Sequence, residues 1–357
     1  MSGIRHLYVH VPFCAHRCGY CDFVTVTGHE DLRERYVDAL LCELEAERGL
    51  LADRVETVFL GGGTPTLLGP ELVRRLLEGL PRSAETTVEA NPETVDGALA
   101  EALVAGGSNR VSLGAQSFGE AQLAVLERRT TPAQVIAAVA ALRAAGIGNL
   151  SLDLLFGVPG MTGAEVDRDL AQALALEPDH LSCYELEAKP GTRFTHRHGD
   201  ELRRQAEQLE DQYEQVISRL EQAGMRWYET ANFCRDDRRS QHNLAYWTGR
   251  DYLGIGIGAV STIGLTRRTN RPSLARYLTA PERVEEELTR EERDRELVML
   301  GLRLDEPLDV SALGHAIDAA GLARMVAVGM VEQDGDTLRL TRRGRVLAND
   351  VISTLIA

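Results

Sequence analysis

The chain has 357 residues, of which 44% are hydrophobic, enough for a large β/α barrel and a smaller appended domain. Its formal net charge of −15 argues against a nucleic-acid partner, because phosphate binding depends on a basic surface. No apolar run is long enough to span a bilayer and the first residues are not a secretory signal, so we expect a cytoplasmic protein with reduced cysteines.

The first predicted strand leads into three closely spaced cysteines. Cys14, Cys18 and Cys21 form a C-x3-C-x2-C loop. Iron–sulfur clusters usually have four thiolate ligands, so three on one loop predict a four-iron cluster with one iron open to a small molecule. Structural zinc is one alternative, since His10 or His16 could complete such a site, although no second cysteine pair follows. A chance grouping of unrelated thiols is the other.

Six strand-like apolar runs alternate with helical patterns through the first half of the chain. The strands are predicted over 7–11, 55–60, 86–90, 110–114, 150–155 and 180–184. The helices between them are predicted over 32–50, 70–80, 96–105, 132–145 and 164–176. Strands that alternate with helices favour a parallel sheet closed or partly closed on itself. The predicted fold class is therefore α/β, a partial (β/α)6 TIM-like barrel.

The pattern changes after the sixth strand. A long polar helix is predicted over 205–223, a strand over 225–233, and then a less regular stretch. From about Arg293, short helices, a hairpin that turns at Asp334-Gly335 and a closing helix over 344–355 resemble a smaller α+β winged-helix module. We expect this module to pack or bind a partner rather than DNA. The predicted domains are a barrel over 1–232, a connecting segment over 233–290 and the winged-helix-like domain over 291–357.

Polar or glycine-rich residues follow the predicted barrel strands, where β/α barrels hold their active sites. Three glycines over 61–63 follow the second strand, and they permit close backbone approach and could aim amides at an anion or amino acid. Glu89 and Asp153 can accept hydrogen bonds from ribose hydroxyls or an amino group, and Gln116 can donate or accept. Asp153 could instead be a buried acid paired with an arginine. Polar groups at so many matching strand ends favour a ligand site.

Together these residues resemble the radical S-adenosylmethionine (SAM) superfamily, in particular the branch that holds the oxygen-independent coproporphyrinogen III dehydrogenases and the HemW-type haem chaperones. The matching segments are 8–14, the cysteine loop, 61–66, 89–92, 114–118, 153–157 and 190–192. In that superfamily SAM chelates the fourth iron of a [4Fe–4S] cluster, and one-electron reduction of the complex yields a 5′-deoxyadenosyl radical. The protein positions and shields these groups.

The resemblance implies roles for individual residues. Cys14, Cys18 and Cys21 would ligate iron. The SAM contacts that it implies are Tyr8, Tyr20, Gly62, Gly63, Thr64, Glu89, Gln116, Arg128 and Asp153. Around Arg128 the chain departs from the family's Gly-Arg-x-His, with glutamate and threonine in the outer positions. Packing within a strand for Tyr8, and a solvated charge at a helix end for Arg128, are the alternative interpretations.

Two features favour the chaperones over the dehydrogenases. The dehydrogenases carry a further cysteine where this chain has Phe23, and an N-terminal extension that we expect this chain to lack. Residues 241–247 resemble the H-N-x-x-Y-W motif of the chaperones. A neutral imidazole on a partly exposed segment can ligate haem iron, so His242 is the predicted haem ligand, with Tyr246 and Trp247 against the macrocycle. A His-Asn capping pair with two aromatics packed between domains is the alternative.

The resemblance thus implies a haem chaperone that carries a [4Fe–4S] cluster and SAM, binds haem and passes it to an acceptor protein. A membrane-associated haem enzyme is a candidate acceptor, and an electron donor is a second implied partner. The alternatives are oxidative decarboxylation of a porphyrinogen and a related radical SAM methyltransferase, so the sequence leaves open whether the chain is an enzyme. Relatives often carry a histidine where this chain has Val260, which cannot ligate iron.

Overall fold

Six parallel strands form the centre of the computed structural model, which describes residues 3–189 and 192–356. The strands are β1 (His6–Val11), β2 (Val55–Gly62), β3 (Ser83–Ala90), β4 (Arg110–Gln116), β5 (Asn149–Phe156), β6 (His180–Glu185), β7 (Arg226–Trp227), β8 (Asn232–Cys234), β9 (Leu253–Ile255), β10 (Val260–Ile263), β11 (Thr266–Asn270), β12 (Arg283–Glu287), β13 (Leu308–Asp309), β14 (Val331–Asp334) and β15 (Thr337–Leu340). The helices are α1 (Arg33–Glu47), α2 (Gly69–Gly79), α3 (Gly97–Gly106), α4 (Glu120–Val125), α5 (Pro132–Ala145), α6 (Gly163–Ala175), α7 (Arg193–Gln222), α8 (Gln241–Trp247), α9 (Leu274–Tyr277), α10 (Arg290–Gly301), α11 (Ala319–Ala327), α12 (Arg342–Val346) and α13 (Ala348–Leu355).

The main sheet has the order β7-β8-β6-β5-β4-β3-β2-β1-β9, and β1 to β6 are parallel. All six predicted barrel strands are present, which confirms the predicted fold class. Alternate residues of these strands face either the helices or the barrel interior. In β1, the apolar side chains of Leu7, Val9 and Val11 are fully buried. The intervening positions carry His6, Tyr8 and His10, so the barrel interior is polar.

Local capping explains why the helices begin and end where they do. Helix α5 has its predicted bounds because Thr131 forms a capping box, Pro132 occupies the first turn and Gly146 adopts a left-handed conformation at the C-terminus. Helix α7 begins twelve residues earlier than predicted, at Arg193 instead of residue 205, and the side chain of Thr192 caps it. The additional residues are mostly polar, so the sequence pattern does not predict that they are helical. Of the matching segment 190–192, residues 190 and 191 lie outside the described residues.

Two short segments extend the sheet at its edges. The strand predicted over 225–233 is a hairpin of β7 and β8, and β8 pairs antiparallel with β6. At the opposite edge, β9 pairs in parallel with β1. The stretch predicted as a connecting segment therefore contributes two strands to the barrel sheet. The domain limits at 232 and 290 stay predictions.

A second hydrophobic core lies in the C-terminal part. Val298, Leu302, Leu338, Ile352 and Leu355 are buried in it. Its sheet has the order β13-β15-β14, with helices α10, α11 and α13 around it, which agrees with the predicted smaller winged-helix-like domain. Among the described residues, no helix combines the length and hydropathy that a membrane crossing would need.

Candidate functional site

The C-terminal ends of the barrel strands open onto a cavity of about 660 Å³. Every residue predicted to bind the cluster or SAM lines this cavity. They are Tyr8, Cys14, Cys18, Tyr20, Cys21, Gly62, Gly63, Thr64, Glu89, Gln116, Arg128 and Asp153. They come from five strands, the cysteine loop and the segment after α4, so the fold brings together residues that are up to 145 positions apart in sequence.

The cysteine loop forms one wall of the cavity. The Cys14 amide donates to the Val26 carbonyl at 2.9 Å, and the Cys21 amide donates to the Cys18 carbonyl at 3.2 Å. Burial, together with the nearby thiols of Cys21 and Cys18, raises the pKa of the Cys14 thiol to about 11. The charged forms of these thiols disfavour one another, and the cationic core of an iron–sulfur cluster would remove that repulsion. The donor set therefore fits the predicted cluster.

The glycine run holds the end of β2 against the end of β1. The Gly63 amide donates to the Val11 carbonyl at 2.8 Å, and the Thr64 amide donates to the Phe13 carbonyl at 2.8 Å. A Cβ atom at Gly62, where φ is +113°, would lie 2.4 Å from the imidazole of His10. The glycines are required by this close packing. The expectation that the glycine amides point at a ligand is wrong for Gly63, whose amide is used by β1.

Two carboxylates lie on the interior side of the cavity. Glu89 accepts a hydrogen bond from the Gly62 amide at 3.0 Å, and burial together with the charge of Asp153 raises the pKa of Glu89 to about 7. Burial also raises the pKa of Asp153. The hydroxyl of Ser112 donates to both Asp153 oxygens, at 3.0 and 3.2 Å. Asp153 is thus bound by serine rather than by an arginine, contrary to the alternative drawn from sequence.

Arg128 lies between the cysteine loop and the barrel strands. Its guanidinium donates to the Asn91 side chain at 2.6 Å and to the Gly114 carbonyl at 3.3 Å, and it lies 4.0 Å from the Cys18 sulfur. It is therefore not a solvated charge at a helix end. Glu127 has a φ of +54°, a conformation that favours glycine and matches the glycine of the family motif at this position.

Sequence reasoning missed several residues that line the cavity. Arg110 is 2% exposed, and its Nε has no hydrogen-bond partner among the described residues. Its charge lowers the pKa values of Glu89 and Asp153 and so partly offsets the effect of their burial. The period of two along β4 could have revealed it, because Arg110, Ser112, Gly114 and Gln116 share the interior face.

The structure does not place His242 on the cavity wall. His242 lies on α8 and is 1% exposed. Its Nδ1 is 2.7 Å from the Thr57 hydroxyl, its Nε2 is 2.9 Å from the Tyr246 hydroxyl, and its ring stacks on Phe59 at 5.1 Å. Burial lowers the pKa of His242 to about 3, so the ring is neutral. The expectation of a partly exposed imidazole is wrong, and haem ligation by His242 stays a prediction that requires the ring to leave both partners.

Helix α8 closes the N-terminal end of the barrel. The carboxylate of Glu85 accepts hydrogen bonds from the amides of Gln241 at 3.0 Å and His242 at 3.1 Å, the first two residues of the helix. Asn243 reaches the cavity described above. Trp247 lies on the other side, where the guanidinium of Arg303 is 5.9 Å from its ring centroid. The H-N-x-x-Y-W motif thus packs between the barrel and the C-terminal part.

We expect His242→Ala to lower the free energy of unfolding by about 2–4 kcal/mol, because it leaves a cavity beneath Phe59 and an unpaired hydroxyl on Tyr246, whereas Thr57 keeps its contact with His6. Chemical denaturation followed by circular dichroism measures this change. His29→Ala removes an exposed histidine and serves as the control. An equal stability for both variants would show that His242 does not hold α8 in place.

Comparisons with known proteins match both parts of the chain. A sequence model of the radical SAM superfamily matches residues 8–173, and one of the HemN C-terminal domain matches residues 288–347. The chain is 38% identical to the heme chaperone HemW of Mycobacterium tuberculosis, over 98% of this chain and 94% of that protein. The chain belongs to the HemW haem chaperone family of the radical SAM superfamily.

Other relatives agree with this membership. The chain is 32% identical to the HemW heme chaperone of Bacillus subtilis, over 99% of both proteins. Among solved structures, the coproporphyrinogen III oxidase HemN from Escherichia coli, a radical SAM enzyme, has a TM-score of 0.80 at 25% identity, over 99% of this chain and 90% of that one. Membership of the HemW family within this superfamily implies a [4Fe–4S] cluster and SAM as cofactors.

Proposed function

We propose that this protein is a haem chaperone that binds haem and transfers it to an acceptor protein, and that it carries a [4Fe–4S] cluster and SAM. The similarity to HemW heme chaperones over nearly the full length is the observation that carries this proposal. The cavity supports it, because every residue predicted to bind the cluster or SAM lines that one space.

Within this proposal, Cys14, Cys18 and Cys21 hold three irons of the cluster. When bound, the cluster supplies an open iron and single electrons. Glu89 and Asp153 accept hydrogen bonds from SAM at the interior side of the cavity. Arg128 fixes the segment after α4 against the cysteine loop through its contacts with Asn91 and Cys18.

Oxidative decarboxylation of a porphyrinogen is the second candidate, and the TM-score of 0.80 with the HemN enzyme favours it. Phe23 argues against it, because the dehydrogenases carry a cysteine at this position. A membrane-associated acceptor and an electron donor stay predictions from the resemblance, and a cytoplasmic location stays a prediction from the cysteines and the first residues of the sequence.

Anaerobic reconstitution followed by hemin titration tests the proposed function. We expect saturable binding of one haem per chain and release of that haem to an apo-haem protein. Incubation with coproporphyrinogen III, SAM and a reductant is expected to yield no protoporphyrinogen. A failure to bind hemin would contradict the proposal. Formation of protoporphyrinogen would also contradict it and would favour the second candidate.

A further inference from the structure

The rim of the SAM cavity carries an exposed aromatic side chain. Phe23, two residues after Cys21, is 66% exposed, the highest value for a large hydrophobic side chain among the described residues. Tyr184, at the end of β6, is 41% exposed, but this surface faces the interior of the cavity, where burial and the charges of Asp153 and Glu89 raise the pKa of its hydroxyl. Both line the same cavity. Exposed aromatic rings at the edge of a pocket are typical of a surface that a ligand covers.

The same rim carries cations without acidic partners. Arg17 and Arg129 are exposed and line the cavity, and within 3–189 and 192–356 neither forms a salt bridge or a side-chain hydrogen bond. The neighbouring acids are mostly paired, since Glu127 bonds to Arg193 and Glu187 lies 3.1 Å from Lys189. Asp22 is the remaining acidic side chain beside the cysteine loop. Because the whole chain has a net charge of −15, unpaired arginines at this position favour an anionic ligand.

A flat, apolar macrocycle with two carboxylates matches this combination of groups. The Phe23 ring offers a face for stacking, and arginine is well suited to bind carboxylates. The interior of the cavity is assigned to the cluster and SAM, so the ligand would lie at its mouth. Haem has this chemistry, and so does any other porphyrin with two propionates.

We propose that Phe23 holds the haem macrocycle over the mouth of the cavity and that Arg17 and Arg129 bind its propionates. This inference rests on the proposed function for the identity of the ligand. This binding mode does not require His242 to ligate the haem iron, so α8 keeps its contacts with the barrel. It also gives Phe23 a role at the position where the dehydrogenases have a cysteine.

The test titrates the reconstituted protein with hemin and with iron-free protoporphyrin IX. Phe23→Ser and the double variant Arg17→Gln/Arg129→Gln are expected to weaken hemin binding by about tenfold each. The effect of the double variant should shrink at high salt. Protoporphyrin IX should bind with an affinity within about tenfold of that of hemin, because stacking and propionate contacts do not need iron.

Ile136→Ser on α5 and Arg295→Gln on α10 are the controls, since the first removes an exposed apolar side chain and the second an exposed arginine away from the cavity. Cluster content and SAM affinity report whether each variant is intact. Unchanged hemin affinity in both rim variants, or loss of porphyrin binding when iron is absent, would overturn the inference and leave the proposed function standing. No hemin binding by the wild-type protein would overturn both.

Discussion

Replacing any one of Cys14, Cys18 and Cys21 by serine is expected to abolish the iron–sulfur cluster. The loop supplies three thiolates to one wall of the cavity, and burial raises the pKa of Cys14 and of Cys18, which disfavours their charged forms. Losing one thiolate leaves two, which do not hold a four-iron cluster in competition with solvent. Iron and sulfide analysis of anaerobically reconstituted protein should fall to near background, together with the brown absorbance.

Cys42→Ser is the control for this experiment. Cys42 is exposed on α1 and does not line the cavity. We expect its iron and sulfide content to equal that of the wild type. Full iron content in a Cys18→Ser variant, or a comparable loss in Cys42→Ser, would show that the cluster is not held by this loop.

The second large effect is expected for Glu89→Gln, which should weaken SAM binding and stabilise the protein without SAM. The pKa of Glu89 is raised from 4.5 to about 7 by burial. Between these values the folded state keeps its proton and the unfolded state has lost it, so wild-type stability falls as pH rises from 4.5 to about 7. Above that range, the buried carboxylate costs at most about 3 kcal/mol, and less where cavity water screens it.

Glutamine removes that cost and keeps an acceptor for the Gly62 amide. We therefore expect the variant to be more stable than the wild type at pH 8 and equally stable near pH 5. We expect its SAM affinity to fall at least about tenfold, because an amide is a weaker acceptor than a carboxylate. Thermal melts at both pH values and SAM titration measure these effects. Glu101→Gln, exposed on α3, is the control, and a Glu89→Gln variant with unchanged melting and SAM affinity would contradict the assignment.

The barrel could be predicted because its signals are local. Each strand from β1 to β6 is a short apolar run that precedes a helix, and the C-terminal ends of such strands meet at one edge of a sheet. This rule predicts that Glu89, Gln116 and Asp153 lie at the same end of the barrel as the cysteine loop, and all of them line one cavity. The capping residues Thr131 and Gly146 fixed the ends of α5 in the same way.

The features that sequence could not give depend on contacts between distant segments. Helix α8 packs on the N-terminal end of the barrel through hydrogen bonds with Glu85 and Thr57, which lie more than 150 residues earlier in the chain. The sequence near His242 contains nothing that predicts this packing. The amides of Gly63 and Thr64 are used by β1 and the segment after it, so their orientation is set by a neighbouring strand. Arg110 carries an unpaired buried Nε, which appears only when the strands around it are assembled.

The central claim is that three thiolates leave one iron of the cluster open and that SAM binds this iron in the barrel cavity. Electron paramagnetic resonance of the reduced, reconstituted protein tests it most directly. We expect the spectrum of the cluster to change when SAM is added, and we expect a smaller change in Glu89→Gln at a SAM concentration near the dissociation constant of the wild type. Identical spectra of the wild-type protein with and without SAM, or zinc in place of iron after anaerobic purification, would contradict the claim.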